Sequence, residues 1–251
     1  MIGIEYTEST SIVVVHKPSG IPCLPKRLST HHHIEKALED SILYRLCSWN
    51  GFVADISWPT GFEGGIAHRL DTATSGQLLV AKTPDVLVDL RREFTEKKLQ
   101  KHYVFLTQKQ VTWREHTVNF SIAHDKKHKK RMVVQRGSHT EHRGKWLPAS
   151  TFFRIMGTQD GLCLVHATMR TGVMHQIRVH AAITGLALLG DSLYGGGASP
   201  SVFPSDFALH HVGICASHFC LEQHMVPVPT WWPKWTREIV QQEIIAEYSR
   251  K

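Results

Sequence analysis

The chain has 251 residues, of which 42% are hydrophobic and 20% charged, a composition typical of a folded protein and not of a disordered one. Lysine and arginine number 29 against 22 acidic residues, so the formal charge is +7 and favours a polyanionic partner. Five scattered cysteines do not predict a disulfide framework, and no apolar run is long enough for a signal peptide or a membrane span. We therefore expect a cytoplasmic protein without membrane association.

The first half of the chain predicts three strands and two helices. A β-branched run at residues 11–16 ends at a proline-rich loop and predicts a strand. Apolar residues at helical spacing predict a helix over residues 34–48. Residues 77–82 predict a second strand, after which Thr83 is expected to cap a helix that has proline at its first position. Residues 102–107 predict the third strand.

The second half is richer in short strands. Residues 175–183 predict a helix, alternation over 207–220 favours a strand, and the tail beyond Trp235 can form a last helix. Strands outnumber helices and do not alternate regularly with them, which favours a mixed, largely antiparallel α+β fold with flanking helices. We expect one catalytic domain over residues 1–251. The other predicted strands are residues 117–122, 131–134, 150–155, 162–168 and 186–189.

A polar segment, Gly64–Gly76, lies between apolar stretches of the chain. Glycines at both ends let the backbone turn sharply, so that Asp71 can be presented to a cleft. An aspartate that caps a turn with its own backbone is the alternative interpretation, and for an isolated residue it is the more common one.

Residues 68–76 resemble the His-Arg-Leu-Asp-x-x-Thr-Ser-Gly signature of the RluA-type family of RNA pseudouridine synthases. Three more segments resemble the same family in the same order: residues 12–22, Lys101–Tyr103, and the blocks between 171 and 195. The resemblance implies the pseudouridine synthase catalytic fold, built around a central RNA-binding cleft. It places the motif-bearing core at about residues 10–227 and leaves no room for an N-terminal S4-like RNA-binding domain.

The resemblance also implies an activity and its catalytic residues. The enzyme would isomerise a uridine in a tRNA or rRNA stem-loop to pseudouridine, as a monomer, without a cofactor or a metal. Asp71 would be the catalytic carboxylate, because such a group can add to the reacting sugar or stabilise charge there. Arg178 would pair with Asp71 and keep it ionised, and Tyr103 would stack on the uracil.

Further residues are expected to contact the substrate. Arg69 matches the family residue that fills the space left by a flipped nucleotide, which offsets part of the cost of extruding a base. His68 could contact RNA or be a packed loop histidine. The remaining predicted substrate contacts are Lys101, His175 and Gln176.

Two features depart from the family pattern or lie outside it. The family usually has Arg-x before His-Gln-Ile-Arg, whereas this chain has Val173 and Met174, so one cation near the predicted site is lost. This departure would favour the alternative function, a non-catalytic RNA-binding protein or RNA-folding chaperone on the same fold. The basic run at residues 125–131 is the densest in the chain, and it could contact phosphates or form a solvated hairpin.

A zinc-dependent nucleic-acid protein is a third possible function. Its ligands would be Cys215, His218 and Cys220, with His210 and His211 upstream. Their spacing matches none of the usual paired zinc patterns, and the alternation of these residues favours a strand. We therefore expect no metal site.

Overall fold

Eleven strands and four α-helices form in the part of the chain that the computed structural model describes, namely residues 5–24, 41–47, 64–197, 207–215 and 224–246. The helices are α1 (Ile42–Cys47), α2 (Pro84–Thr95), α3 (Gln176–Ile183) and α4 (Lys234–Val240), and α4 continues into a π-helical turn at Gln241–Ile245. The strands are β1 (Tyr6–Glu8), β2 (Ile12–Lys17), β3 (Ser75–Ala81), β4 (Gln100–Thr107), β5 (Glu115–Val118), β6 (Ile122–Asp125), β7 (Met132–Val134), β8 (His142–Leu147), β9 (Thr151–Gln159), β10 (Leu162–Met169) and β11 (Leu209–Cys215).

The strands form two sheets. The larger sheet has eight strands in the order β1-β2-β3-β11-β4-β10-β9-β5, and all its neighbours are antiparallel except β3 and β11. The smaller sheet has the order β7-β6-β8 and is antiparallel. The predicted α+β fold with a largely antiparallel sheet is confirmed. No helix in the described ranges is long and apolar enough to cross a bilayer.

The large sheet is covered on both faces near its centre. Along β2, Val13 and Val15 belong to the apolar core on one face, while Ile12 and Val14 belong to the core on the other. Successive residues of a strand point to opposite faces, so a strand buried on both sides requires the continuous apolar run seen here. Helix α2 covers the second face through residues such as Leu87.

Strand β11 joins two parts of the chain that are distant in sequence. His211 pairs with Gly76 of β3 on one side and with Tyr103 of β4 on the other. The loop that carries Asp71 leads directly into β3. The centre of the sheet therefore fixes the lateral spacing between the Asp71 loop and Tyr103.

Gly76 has no space for a side chain at this junction. Its φ is +119°, and a Cβ added there would lie 2.1 Å from the His211 carbonyl oxygen. We expect Gly76→Ala to lower the free energy of unfolding by about 2–4 kcal/mol, because the strands must separate and the backbone is strained. Urea denaturation measures the change. Gly137→Ala is the matched control, since nothing lies within 4 Å of its added Cβ. Equal stability of the two variants would show that a Cβ at Gly76 does not collide with the His211 backbone.

The start of α2 follows its sequence pattern. The Thr83 hydroxyl accepts a hydrogen bond from the Val86 N–H at 3.4 Å, and Pro84 occupies the first turn. The predicted cap is confirmed. Of the helix expected over 34–48, residues 41–47 are described, and Ile42–Cys47 form α1.

Two predicted strands are wrong. Residues 186–189 form a buried loop, in which the Leu189 N–H donates to the Leu106 carbonyl and the Leu189 carbonyl accepts from Ala208. Residues 117–122 are not one strand, because β5 ends at Val118 in the large sheet and β6 begins at Ile122 in the small one. The sequence patterns also missed β1 and β8.

Candidate active site

A cleft of about 790 Å³ opens between the loop before β3, the start of β4 and the N-terminus of α3. It combines polar side chains with apolar walls, the composition expected of a ligand site. All of the predicted site residues line this cleft. They are His68, Arg69, Asp71, Lys101, Tyr103, His175, Gln176 and Arg178.

The backbone around Asp71 is held at several points. The Asp71 carbonyl accepts a hydrogen bond from the Thr74 N–H at 3.0 Å, which closes a tight turn. The Thr72 carbonyl accepts from the Gly20 N–H at 2.8 Å and from Lys17 Nζ at 3.0 Å. The Asp71 loop is thus fastened to the turn that follows β2.

Lys17 is a buried cation beside this loop that the sequence interpretation did not assign to the site. Its Nζ also donates to the Pro18 carbonyl at 2.9 Å, and the side chain is almost fully buried. Burial lowers the pKa of Lys17 to about 8, while the nearby Cys23 and Asp71 oppose this shift. The sequence signal for this position was a lysine in a Lys-Pro turn directly after an apolar strand.

Arg178 bridges two carboxylates. Its Nε and Nη2 donate to the two oxygens of Asp191 at 2.8 and 2.9 Å, and its Nη1 donates to Asp71 Oδ2 at 3.4 Å. The two-pronged contact therefore goes to Asp191, and Asp71 receives a single longer bond. Asp191 is 1% exposed, whereas Asp71 is 34% exposed and faces the cleft.

Aromatic rings enclose the Arg178 guanidinium. Its Cζ lies 5.1 Å from the ring centroids of both Tyr194 and Phe207, within the range of cation–π attraction. Burial alone would lower the pKa of Arg178, but the hydrogen bonds and charge of Asp191 raise it above its ordinary value. The cation is therefore permanent, and its position is fixed from several sides.

The contacts of Asp71 are not shared equally between its two oxygens. Arg178 Nη1 lies 3.4 Å from Oδ2, and His175 Nε2 lies 3.7 Å from the same atom. Within the described residues, neither a hydrogen bond nor an ion pair engages Oδ1. The contacts that the structure shows thus converge on Oδ2, and the Asp71 side chain lines the cleft.

Tyr103 forms part of the wall near the centre of the large sheet. Its ring stacks on His211, with centroids 4.4 Å apart and planes 27° apart. Burial raises the pKa of Tyr103, and the charge of Asp71 adds to the effect. The phenol is therefore protonated at neutral pH, and its ring is held rigidly against the sheet.

His68 and Lys101 are anchored to the protein at the side of the cleft. His68 Nε2 accepts the Leu79 N–H at 3.2 Å, and burial lowers the pKa of His68 to about 3. Lys101 Nζ donates to the Thr171 carbonyl at 3.0 Å and lies 5.2 Å from the Phe94 ring centroid. Burial lowers the pKa of Lys101 to about 8. His68 has the contacts of a packed loop histidine.

Gln176 and His175 begin helix α3. The Gln176 amide donates to the Ser150 carbonyl and the Thr151 hydroxyl, and its oxygen accepts from Thr171 and Val173. Gln176 therefore ties α3 to its surroundings with all four of its hydrogen-bonding positions. His175 has a left-handed backbone, with φ +56°, and its Nδ1 lies 3.0 Å from the Tyr194 hydroxyl.

The rim of the cleft contains Arg69 and the pair that departs from the family pattern. Arg69 is exposed there, with its backbone next to the buried Leu70. Val173 packs against the core beside α3, whereas Met174 is 40% exposed on the rim. An apolar side chain thus occupies the rim where the family usually has a cation nearby.

The candidate zinc ligands are only partly described. His218 and Cys220 lie outside the described residues. His210 Nδ1 lies 2.9 Å from the Ser75 hydroxyl, and His211 Nδ1 lies 2.6 Å from the Gln77 carbonyl, so both rings are engaged inside the sheet. Among the described residues, no group of three or more His, Cys, Asp or Glu side chains is placed to hold a metal ion.

The fold around this cleft is that of the pseudouridine synthases. The family model described as RNA pseudouridylate synthase matches residues 11–182, and the chain belongs to this family. The RluA-type assignment is supported by relatives that carry the RluA and RluD-type names.

Two relatives and one solved structure illustrate the similarity. The chain is 28% identical over 218 residues to the dual-specificity RNA pseudouridine synthase RluA of Haemophilus ducreyi, covering 85% of this chain and 86% of the relative. It is 30% identical over 189 residues to the ribosomal large subunit pseudouridine synthase D of Nitrosomonas europaea, covering 75% and 48%. Human RNA pseudouridylate synthase domain containing 1 has the same fold, with a TM-score of 0.63, 23% identity, and coverage of 84% and 78%. The chain spans about half the length of several curated relatives that it matches.

Proposed function

We propose that this protein isomerises a uridine in a structured RNA, a tRNA or rRNA stem-loop, to pseudouridine. The C1′–N1 bond breaks, a C1′–C5 bond forms, the proton on C5 leaves and N1 regains a proton. Atoms and electrons balance within the nucleotide, so the isomerisation consumes no redox partner or co-substrate. Asp71 acts on the sugar.

The arrangement of Asp71 carries the proposal. Its Oδ2 lies near Arg178 and His175, and its side chain lines a cleft of about 790 Å³, which has room for a nucleotide. A carboxylate oriented through one oxygen keeps the other available to attack or deprotonate the sugar without reorganisation. The family membership supports the same reaction.

Tyr103 and Arg69 supply the binding of the base and of the strand. Tyr103 presents an aromatic ring to the cleft, and stacking on such a ring contributes about 1–3 kcal/mol per base. Because the phenol is protonated, it can also donate a hydrogen bond to the uracil. Arg69 is exposed at the rim, where it can enter the space that an extruded nucleotide leaves.

The small sheet offers a second contact for RNA. Its β6–β7 turn is exposed at Lys129 and Lys130, and the turn returns to Arg131, whose Cζ lies 5.7 Å from the Tyr194 ring centroid. Arg178 lies against the same ring. The basic turn is therefore separated from the catalytic ion pair by one aromatic side chain, which suits contact with phosphates flanking the target.

We expect Lys129→Gln/Lys130→Gln to weaken RNA binding through phosphate contacts alone. The slope of log affinity against log salt concentration should become shallower by about 2, since each phosphate contact contributes about 1. Filter binding of RNA at several salt concentrations measures this slope. Lys126 and Lys127 make ion pairs with Glu141, so their removal would also disturb contacts within the protein.

The control for the loss of net charge removes two positive charges outside the β6–β7 turn. Lys109 and Lys234 are exposed and lie outside the small sheet and the cleft, and the ion pair of Lys234 with Glu238 is itself exposed to solvent. Lys109→Gln/Lys234→Gln should leave the salt slope unchanged. If both double variants change the slope equally, the turn acts only through net charge and has no direct contact.

Release of tritium from RNA labelled at uridine C5 tests the function itself. The proposal expects release from bulk tRNA or rRNA by the purified protein and pseudouridine in the product. A folded protein that binds RNA but releases no tritium from either pool would instead indicate the non-catalytic RNA-binding alternative.

A further inference from the structure

We propose that Tyr194 and His175 form a positioning relay that sets the direction of the Asp71 carboxylate. The relay starts at the Met132 N–H, passes through the Tyr194 hydroxyl and the His175 ring, and ends at Asp71 Oδ2. This inference rests on the proposed function, which it deepens by assigning positioning residues to it. It also connects the small sheet to the catalytic carboxylate.

The contacts of the Tyr194 hydroxyl favour one orientation of its proton. Its oxygen accepts the Met132 backbone N–H at 2.8 Å. A backbone N–H can only donate, so the proton of the hydroxyl is left for another acceptor. In the described part of the chain, the one other hydrogen-bond partner of this hydroxyl is His175 Nδ1, at 3.0 Å.

This orientation selects one tautomer of His175. When Nδ1 accepts the hydroxyl proton, a neutral imidazole carries its own proton on Nε2. Nε2 is the ring atom that lies 3.7 Å from Asp71 Oδ2. The N–H is therefore on the ring atom nearest the carboxylate, at a distance where it attracts Oδ2 electrostatically beside the hydrogen bond from Arg178.

Burial, more than the charges around it, lowers the pKa of His175 and favours the neutral ring. Burial lowers its pKa first, and Arg178 and His124 lower it further, against the opposing charges of Asp71 and Asp191. Burial also raises the pKa of Tyr194 to about 12, so the phenol retains the proton that the relay requires.

The backbone of His175 supports a functional interpretation of this contact. Its φ of +56° is uncommon for a residue other than glycine, and such conformations persist where the surroundings impose them. The ring is packed edge-on to Tyr194, with centroids 5.7 Å apart and planes 89° apart. The left-handed turn at the start of α3 thus directs the imidazole towards Asp71 instead of into solvent.

The tautomer of His175 can be measured without an assay of enzymatic activity. Long-range ¹H–¹⁵N spectra of histidine-labelled protein distinguish Nε2–H from Nδ1–H, and the His175→Gln variant assigns the signal. In Asp71→Asn, where no carboxylate charge biases the ring, we expect His175 to keep the Nε2–H tautomer. Adding Tyr194→Phe to that variant should produce a mixture. An Nδ1–H tautomer in Asp71→Asn would overturn the relay.

Kinetics test the consequence for the reaction. We expect Tyr194→Phe to lower kcat about 10-fold with little change in KM, as for one lost hydrogen bond. Thr107→Val is the matched control, because the Thr107 hydroxyl also accepts a backbone N–H, from Lys109, and donates to a second group, the Ala187 carbonyl. A similar loss of kcat in both variants would overturn the relay.

Two substitutions of His175 complete the experiment. His175→Gln keeps an N–H near the Nε2 position and should retain most of kcat, whereas His175→Leu should lose about 10-fold. Both substitutes carry the same backbone strain. Equal activity of the two variants would contradict the relay. Absence of tritium release from the unsubstituted protein would instead reject the proposed function, and the tautomer measurement would still decide the relay.

Discussion

The Asp71→Asn variant is expected to lose tritium release by about 1,000-fold or more while it binds RNA with nearly unchanged affinity. The amide has the size of the carboxylate but can neither add to the sugar nor take a proton from it. Arg178 keeps its two-pronged contact with Asp191, so the site stays assembled. Tritium release and filter binding, measured on the same preparation, separate catalysis from binding.

A surface aspartate provides the control for this substitution. Asp160 is exposed at the turn between β9 and β10, and its φ of +52° is one that asparagine accepts. Asp160→Asn makes the same chemical change and should retain full activity. If Asp71→Asn released tritium at the unsubstituted rate, Asp71 would not be the catalytic carboxylate.

The Arg178→Met variant is expected to lose about 3–5 kcal/mol of unfolding free energy, as well as its activity. Asp191 would remain almost completely buried without the two charge-assisted hydrogen bonds that now offset its desolvation. Methionine retains apolar bulk between the Tyr194 and Phe207 rings. The lost unfolding free energy therefore reports chiefly the unpaired charge of Asp191. Urea denaturation at neutral pH measures the change.

An exposed ion pair provides the control for Arg178. Arg92 and Asp89 form a 2.9 Å pair on α2, with both side chains about half exposed. Arg92→Met should cost less than about 1 kcal/mol, since solvent screens such pairs. The double variant Arg178→Met/Asp191→Leu should recover much of the lost stability without recovering activity. Equal losses for Arg178→Met and Arg92→Met would contradict the buried-pair argument.

The sequence predicted which residues meet at the cleft and that Arg178 pairs with Asp71, but not that the two-pronged contact of Arg178 goes to Asp191. Asp71, Tyr103 and Arg178 come from three segments whose order resembled a known family, and the structure brings them to one cavity. The principal partner of Arg178 could not be predicted, because motif spacing does not tell which of two carboxylates is buried. Asp191 lies in a recognised motif, yet only the packed structure shows it to be the buried one.

The wrong strand at residues 186–189 and the missed strand β8 both follow from what hydrophobic periodicity reports. An apolar run such as residues 186–189 has the same pattern in a strand and in a buried loop, because burial alone selects its composition. Its backbone groups bond to Leu106 and Ala208, which are distant in sequence. Conversely, β8 has mostly exposed side chains, so hydrophobic periodicity gives no signal for it.

The central position of β11 sets an order for the maturation of the protein on the ribosome. Strands β3 and β4 are synthesised early, but they become neighbours only through a strand that follows them by more than a hundred residues. Until then, the edge of each strand that faces β11 remains unpaired, a state prone to aggregation. A nascent chain that stops before residue 209 contains Asp71, Tyr103 and Arg178, yet lacks the strand that joins the Asp71 loop to Tyr103. Catalytic competence should therefore appear late and abruptly during synthesis.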